Sequence, residues 1–444
     1  MKTDVLIVGA GPGGYRAAEY AARQGLQVAI VEQDEVGGTC LNRGCIPTKT
    51  YVHSDTFDEA VVRQQQVVAQ LRSGVEGILR HPNITLLRGH AQFVSPSACS
   101  VSVGDDSGVL RPTARECSSN DNTITARHII IATGSKAKLP PIDDISTDPR
   151  VVTSTELLQL KEQPRRLAIV GAGVIGMEFA SVFHRFGTEV CVIEYLKECL
   201  PMLDSDIAKR LRKLMEKQGV MFRMKTAVQQ IADIDADVVL VATGRQANTD
   251  GLNLQAAGIV PASNGFLPVD DNFRCAISMD TASSDSMEAT VYAIGDVNGR
   301  QLLAHAAEMQ AVRVVNHILG RPDGIRFDVM PAAVFTEPEA ACVGPSEDVL
   351  QSKATNGVSP DYHCRKAFWR ANGKAMAMGK TEGMLKLFSD CNDVILGCHA
   401  YGAHAADIVQ EVSVLMCRDT TVAQLRDMVH IHPTLGEILK TAVE

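Results

Sequence analysis

Val5-Leu6-Ile7-Val8-Gly9-Ala10-Gly11-Pro12-Gly13-Gly14 decides the fold. From Asp4 the chain runs apolar to Val8, the mark of a strand buried on both faces. A helical pattern follows from Tyr15 to Gln24 and stops at Gly25. A second apolar run, Gln27 to Val31, ends on Glu32. Strand, glycine turn, helix, strand and acid, in that order, form the dinucleotide-binding fingerprint in its context. Gly9 permits the tight turn, Gly11 lets the backbone approach a pyrophosphate, and Gly14 lets helix and strand pack closely. The helix N-terminus offers unpaired N–H groups to phosphates. Glu32 is placed to accept hydrogen bonds from a ribose.

The unit returns 162 residues later, with Leu167–Val170 as strand, Gly171-Ala172-Gly173-Val174-Ile175-Gly176 as turn, and Val190–Ile193 leading to Glu194. First glycine and acid are 23 positions apart in both copies. Two dinucleotide sites in one chain point to hydride or electron transfer between two cofactors. Shorter echoes, Ala132-Thr133-Gly134-Ser135 and Ala242-Thr243-Gly244-Arg245, each end a buried strand. Val291–Val297 runs into Gly295-Asp296 ahead of a helical pattern over 303–319. Asp296 either binds a polyol or caps that helix.

After Glu32 comes Gly37-Gly38-Thr39-Cys40-Leu41-Asn42-Arg43-Gly44-Cys45-Ile46-Pro47-Thr48-Lys49, whose cysteine pair begins eight residues past that acid. Two cysteines five apart suit a redox pair, a structural disulfide, half a zinc site or two inert thiols; a zinc site needs a second ligand pair, and no second CxxC-type pair exists. Five residues of regular helix rise about 7.5 Å, whereas bridged Cα atoms lie about 4.4–6.8 Å apart. A bridged pair therefore requires a distorted helix, for which Gly44 and Pro47 are the expected places. A disulfide does not take hydride directly from nicotinamide, but a flavin mediates between them. That puts FAD in the first site, beside the cysteines, and a nicotinamide nucleotide in the second. Glu194 favours a free ribose 2′-hydroxyl, hence NAD over NADP; Lys197 is nearby, but no arginine follows closely.

Beyond about Arg326 the pattern alternates apolar and polar, predicting an antiparallel sheet over 331–339 and 361–399, with Met376 and Met378 packed in a strand. Helices are predicted over 404–418 and 421–429. His432-Pro433-Thr434 with Glu437 five on from the histidine allows a base with its orienting carboxylate. With 444 residues, 45% hydrophobic content and a net charge of −9, the chain suits a multidomain protein that binds neither nucleic acid nor a membrane surface. No apolar run spans a bilayer. Met1-Lys2-Thr3-Asp4 enters a strand with no leader-peptide cleavage site, and the 12 cysteines are scattered, so the expected compartment is the cytoplasm.

These motifs together resemble the class I pyridine nucleotide–disulfide oxidoreductases, within them the dihydrolipoamide dehydrogenase branch, over nearly the whole chain. The resemblance implies an α/β fold with two Rossmann-like domains and a C-terminal α+β dimerisation domain. The expected boundaries are 1–145 and 270–328 for FAD, 146–269 for NAD and 329–444 for the interface. It implies Cys45 against the flavin as the charge-transfer thiolate and Cys40 as the interchange thiol. His432 with Glu437 is the base, and Lys49 pairs with Glu178. Candidate FAD contacts are Gly9, Gly11, Gly14, Glu32, Lys49, Thr133, Gly134, Gly295, Asp296 and Ala304. Candidate NAD contacts are Gly171, Gly173, Gly176, Glu194 and Gly244. No metal is expected. The implied reaction oxidises a dihydrolipoyl group on the carrier protein of a 2-oxoacid dehydrogenase or glycine cleavage system. The implied assembly is a homodimer in which each His432 completes the other subunit's site. Two alternatives stand: a glutathione-reductase-like reductase of another small disulfide, and a non-catalytic nucleotide-binding scaffold. Against relatives, the segment 221–236 is short, a structural trim, and 275–287 is long, a surface loop.

Overall fold

The computed structural model describes residues 1–102, 122–277, 289–352 and 361–444. It divides into two units, Met1–Thr50 with Val62–Lys138 and Arg245–Ile325, and Tyr51–Val61 with Leu139–Gly244 and Arg326–Glu444.

In the first unit the predicted strands form at Lys2–Val8 and Val28–Glu32, with the helix Pro12–Arg23 between them. The parallel strands run in the order Ile84–Arg88, Val28–Glu32, Lys2–Val8 and Thr123–Ile131, and Thr290–Ala293 joins beyond Thr123–Ile131. Ala98–Ser102 and His90–Ser95 extend the sheet antiparallel. Val5, Leu6, Ile7, Ile129, Ile130 and Ile131 are buried on both faces, as the unbroken apolar runs require. Each such side chain contributes about 1.5–3 kcal/mol of burial. Residues 245–269, expected with the second nucleotide domain, group with this unit. Arg245–Ala247 pairs antiparallel with Ser135–Ala137, and Leu252, Leu254, Ile259 and Leu267 complete the core under the strands. Most of the loop expected at 275–287 lies outside the described residues.

In the second unit a parallel sheet runs in the order Met221–Arg223, Glu189–Ile193, Arg166–Val170, Val238–Val241, Val151–Val152. The helix Val174–Arg185 follows the glycine turn. The short segment 221–236 passes from one strand into a single 3-10 turn at Ile231–Asp233, held by the Asp144 carboxylate on the amides of Ile231 and Ala232 at 2.8 Å each.

The C-terminal part is an antiparallel sheet in the order Ala332–Val334, Ala340–Val343, Ile395–Tyr401, Met384–Asp390, Tyr362–Phe368. Ala405–Met416 and Glu437–Val443 cover it, and the helix predicted over 421–429 stops at Arg426. A buried charge cluster ties the two parts of this unit. Lys386 reaches Asp204 and Glu347 at 2.7 Å each, and Asp204 caps the helix Ser205–Gln218. Met376 and Met378 do not pack in a strand. Asn372 accepts from Ala375 N at 3.0 Å and starts the short helix Gly373–Ala377, which leaves both methionines exposed.

Candidate active site

The first glycine turn is shaped by what a side chain would hit. Gly9 sits at φ +100, and a Cβ there would stand 2.5 Å from Ala132 O. A Cβ on Gly14 would stand 1.9 Å from Gly9 O. Neither position tolerates a side chain without moving backbone. Gly11 differs, because its nearest such neighbour is Gly38 Cα at 3.9 Å, so the space above it is open. The helix Pro12–Arg23 starts without a side-chain cap, and its first N–H groups face that space unclaimed by side chains. Thr133 Oγ1 is buried and has no hydrogen-bond partner among the described residues. An open cradle beside an orphaned hydroxyl fits a bound dinucleotide. Glu32 is buried and accepts from Ala10 N at 2.7 Å and Asp34 N at 2.8 Å. Burial raises its carboxyl above the ordinary range despite those two bonds.

Asp296 lies in the 3-10 turn Gly295–Asn298, and the helix Ala304–Ile318 starts after Leu303, so Asp296 is not that helix's cap. Ser135 Oγ donates to its carboxylate at 2.5 Å. Arg245 donates from Nε to Ser135 Oγ at 2.6 Å and from Nη2 to Ser135 O at 2.7 Å, and its Nε stands 3.7 Å from Asp296. Burial lowers the Arg245 guanidinium's pKa, while the charges of Asp296 and Cys45 oppose that. Sequence reasoning missed Ser135 and Arg245. The available signal was that each directly follows an Ala-Thr-Gly echo.

The second turn repeats the first. Gly171 at φ +108 would place a Cβ 2.5 Å from Ala242 O, and Gly176 would place one 2.0 Å from Gly171 O. Gly173 and Gly244 have open space. Glu194 accepts from Ala172 N at 2.6 Å and Leu196 N at 2.7 Å, the counterpart of the Glu32 arrangement.

The cysteine stretch distorts at Gly44, as expected. Gly38–Arg43 and Cys45–Val52 are separate helices, with Gly44 between them at φ −144, ψ −113. A Cβ on Gly44 would stand 2.9 Å from Thr39 O. Pro47 falls within the first turn of the second helix, where its missing N–H is harmless. Asn42 fastens the first helix by donating to Val36 O and Gly38 O at 3.0 Å each. The hydrogen bond to Cys45, followed by burial, pushes the Cys40 thiol far above its ordinary range, and Lys49 pulls the other way.

In the second unit, Glu437 accepts from His432 Nδ1 at 2.9 Å and from Thr434 N at 2.9 Å. Those bonds, the Thr434 amide first, hold its carboxyl below the usual range. A carboxylate only accepts, so Nδ1 carries the proton and Nε2 is left with its lone pair. The His432 side chain is 80% exposed. Glu178 is buried, with its carboxylate on Phe335 N at 2.9 Å. Lys49 belongs to the first unit and Glu178 to the second. Among the described residues no group of three His, Cys, Asp or Glu side chains is placed to hold a metal ion.

Residues 3–311 match the family described as pyridine nucleotide-disulphide oxidoreductase, and residues 330–443 match its dimerisation domain. The chain belongs to the pyridine nucleotide–disulphide oxidoreductases. This oxidoreductase is 34% identical to the dihydrolipoyl dehydrogenase of Chlamydia trachomatis, covering 98% of this chain and 95% of that one. It is also 34% identical to the mitochondrial dihydrolipoyl dehydrogenase of Pisum sativum, over 99% and 91% of the two chains. In structure it is similar to a Cu(II) complex of the HOCl-induced flavoprotein disulfide reductase RclA of Escherichia coli. The TM-score is 0.87 and the identity 30%, covering 100% of this chain and 99% of that one. The oxidoreductase uses FAD and NAD, and it carries a dimerisation domain that makes it a homodimer. Among the described residues no helix is long and apolar enough to cross a membrane.

Proposed function

We propose that this oxidoreductase oxidises a dihydrolipoyl group on a carrier protein and reduces NAD. The observation that carries the reading is the His432–Glu437 pair, whose geometry leaves an exposed Nε2 as base. His432 of the partner subunit takes a proton from the incoming dithiol. The resulting thiolate attacks Cys40 Sγ, the Cys40–Cys45 bond breaks, and Cys45 leaves as thiolate. The second substrate sulfur displaces Cys40 and passes its proton to the departing Cys40 Sγ, closing the substrate disulfide. Two electrons and two protons have then left the substrate, and the electrons rest on the cysteine pair. FAD, when bound, supplies the group that takes this electron pair and returns it to NAD as hydride. Gly9, Gly11, Gly14, Glu32, Thr133, Gly134, Gly295, Asp296 and Ala304 would hold it, with Lys49 beside it. Gly171, Gly173, Gly176, Glu194 and Gly244 would hold NAD. The fixed negative charge of Glu194 supports NAD over NADP. The similarity to dihydrolipoyl dehydrogenases along the chain supports the substrate. The reading includes a cytoplasmic setting, supported by the scatter of the 12 cysteines along the chain.

A second reading, reduction of another disulfide, draws support from the structural likeness to the RclA reductase. Steady-state turnover with dihydrolipoamide, run in parallel with NAD⁺ and NADP⁺, separates the two. Fast turnover with NAD⁺ alone is expected. Turnover near background with both, in flavin-loaded enzyme, sinks the proposal.

A further inference from the structure

From Arg426 to Pro433 every residue of the chain is exposed except one. In the single chain Val429 is 98% exposed and Ile431 79%, so no apolar contact there roots the segment that carries His432. His430 is the exception, with its side chain 8% exposed. Its Nε2 meets Glu411 Oε1 at 3.0 Å, and Glu411 stands on the helix Ala405–Met416. The carboxylate accepts only, so Nε2 carries the proton. His430 Nδ1 is buried and takes no hydrogen bond among the described residues. Glu411 is thus the polar anchor of this ring.

The same turn closes over the pair. A Cβ on Gly436 would stand 3.4 Å from Glu411 Oε2 and 3.8 Å from His430 Cδ2. Thr434 Oγ1 donates to Ile431 O at 2.7 Å, and Asn372 Nδ2 donates to Thr434 O at 3.1 Å. The chain on either side of His432 is therefore pegged, by His430 before it and by Thr434 after it.

We propose that His430 and Glu411 are positioning residues for His432. They hold the exposed segment so that the His432 ring has one place and one tilt relative to the dithiol it deprotonates. The proposal rests on the reading of His432 as the base of dithiol oxidation. Misplacing a catalytic group by about 1 Å costs on the order of 100-fold in rate.

The test uses flavin-loaded dimer. His430→Leu removes the bond to Glu411. His430→Gln keeps a donor near the Nε2 position. With NAD⁺ and dihydrolipoamide, H430L should lose about 10- to 100-fold in kcat. Flavin reduction by NADH in stopped flow should stay within about twofold, since that step needs no base, and H430Q should recover most of the loss. The double variant H430L/H432Q should be no slower than H432Q, because groups that act through one another are not additive. Equal losses in both half-reactions, wild-type dithiol oxidation in H430L, or a double loss equal to the product of the single losses would each overturn the positioning role. Should H430L not assemble, Glu411→Ala, which breaks the same bond from a half-exposed side, replaces it under the same criteria. H432Q at the wild-type rate overturns the base reading itself and the proposal with it. H432Q impaired while H430L is not overturns the positioning role alone.

Discussion

Gly173 and Gly176 stand three residues apart in one turn, and alanine at each should fail differently. At Gly176 the new Cβ would lie 2.0 Å from Gly171 O and 3.2 Å from Ile169 Cγ2. The carbonyl must retreat by more than an ångström, which separates the helix Val174–Arg185 from its strand. Overpacking of this kind costs about 1–3 kcal/mol, and more where backbone is the obstacle. At Gly173 the backbone has φ −77 and ψ −171, which alanine adopts without strain. No heavy atom lies within 4 Å of the new Cβ. G173A should fold as wild type, or gain about 0.4–1 kcal/mol from a stiffer unfolded chain. What it loses is ligand. The methyl occupies the space through which a pyrophosphate reaches the helix N-terminus, and one charge-assisted hydrogen bond is worth about 1.5–3 kcal/mol. At about 1.4 kcal/mol per decade, NADH should bind roughly 10- to 150-fold more weakly. The assay pairs thermal unfolding with NADH titration of the flavin-loaded enzyme. G173A binding NADH as tightly as wild type, or G176A unfolding at the wild-type temperature, refutes the reasoning.

Three further outcomes are expected. Lys386→Met strands Asp204 as a buried carboxylate and should cost about 3–5 kcal/mol in denaturant unfolding. Most of that should return in K386M/D204N/E347Q, and a loss under about 1 kcal/mol would show the cluster to be idle. His399 is buried, accepts from Asp204 N at 2.9 Å and meets Gly344 O at 3.2 Å, and burial lowers its pKa. The unfolded chain then binds the proton first, so stability should fall as pH drops below about 6.5; His399→Asn should flatten that slope, and an unchanged slope would count against it. NADH titration should raise a long-wavelength charge-transfer band that survives Cys40→Ser and vanishes in Cys45→Ser. The reverse pattern would exchange the roles of the two thiols.

The parts of the molecule written in short-range spacing were readable. The two glycine turns, their acids and the Ala-Thr-Gly echoes are local. The steric conflicts at Gly9, Gly14, Gly171 and Gly176 explain why no other residue fits. Helix geometry required a distortion between bridged cysteines, and of the two places expected, Gly44 and Pro47, the break falls at Gly44. The links made across long sequence distances were hidden. Ser135 and Arg245 meet because two three-residue strands pair, and the Ala-Thr-Gly echo before each marks the position without naming its partner. The same pairing accompanies residues 245–269 into the first unit. The contact of His430 was hidden because Glu411 lies on a different helix. Met376 and Met378 misled because alternation over so few residues does not distinguish a strand from an Asn-capped turn.

Glu194 bears on any attempt to retune this oxidoreductase for a different coenzyme. Its two oxygens are already engaged by the amides of Ala172 and Leu196, so the acid braces the turn in addition to the nucleotide choice proposed for it. An exchange for serine or arginine, made to admit a 2′-phosphate, also removes both braces. A redesign that swaps the charge alone should lose affinity for both coenzymes. One that first supplies new acceptors for those two amides keeps the turn in place and leaves only the preference to be changed.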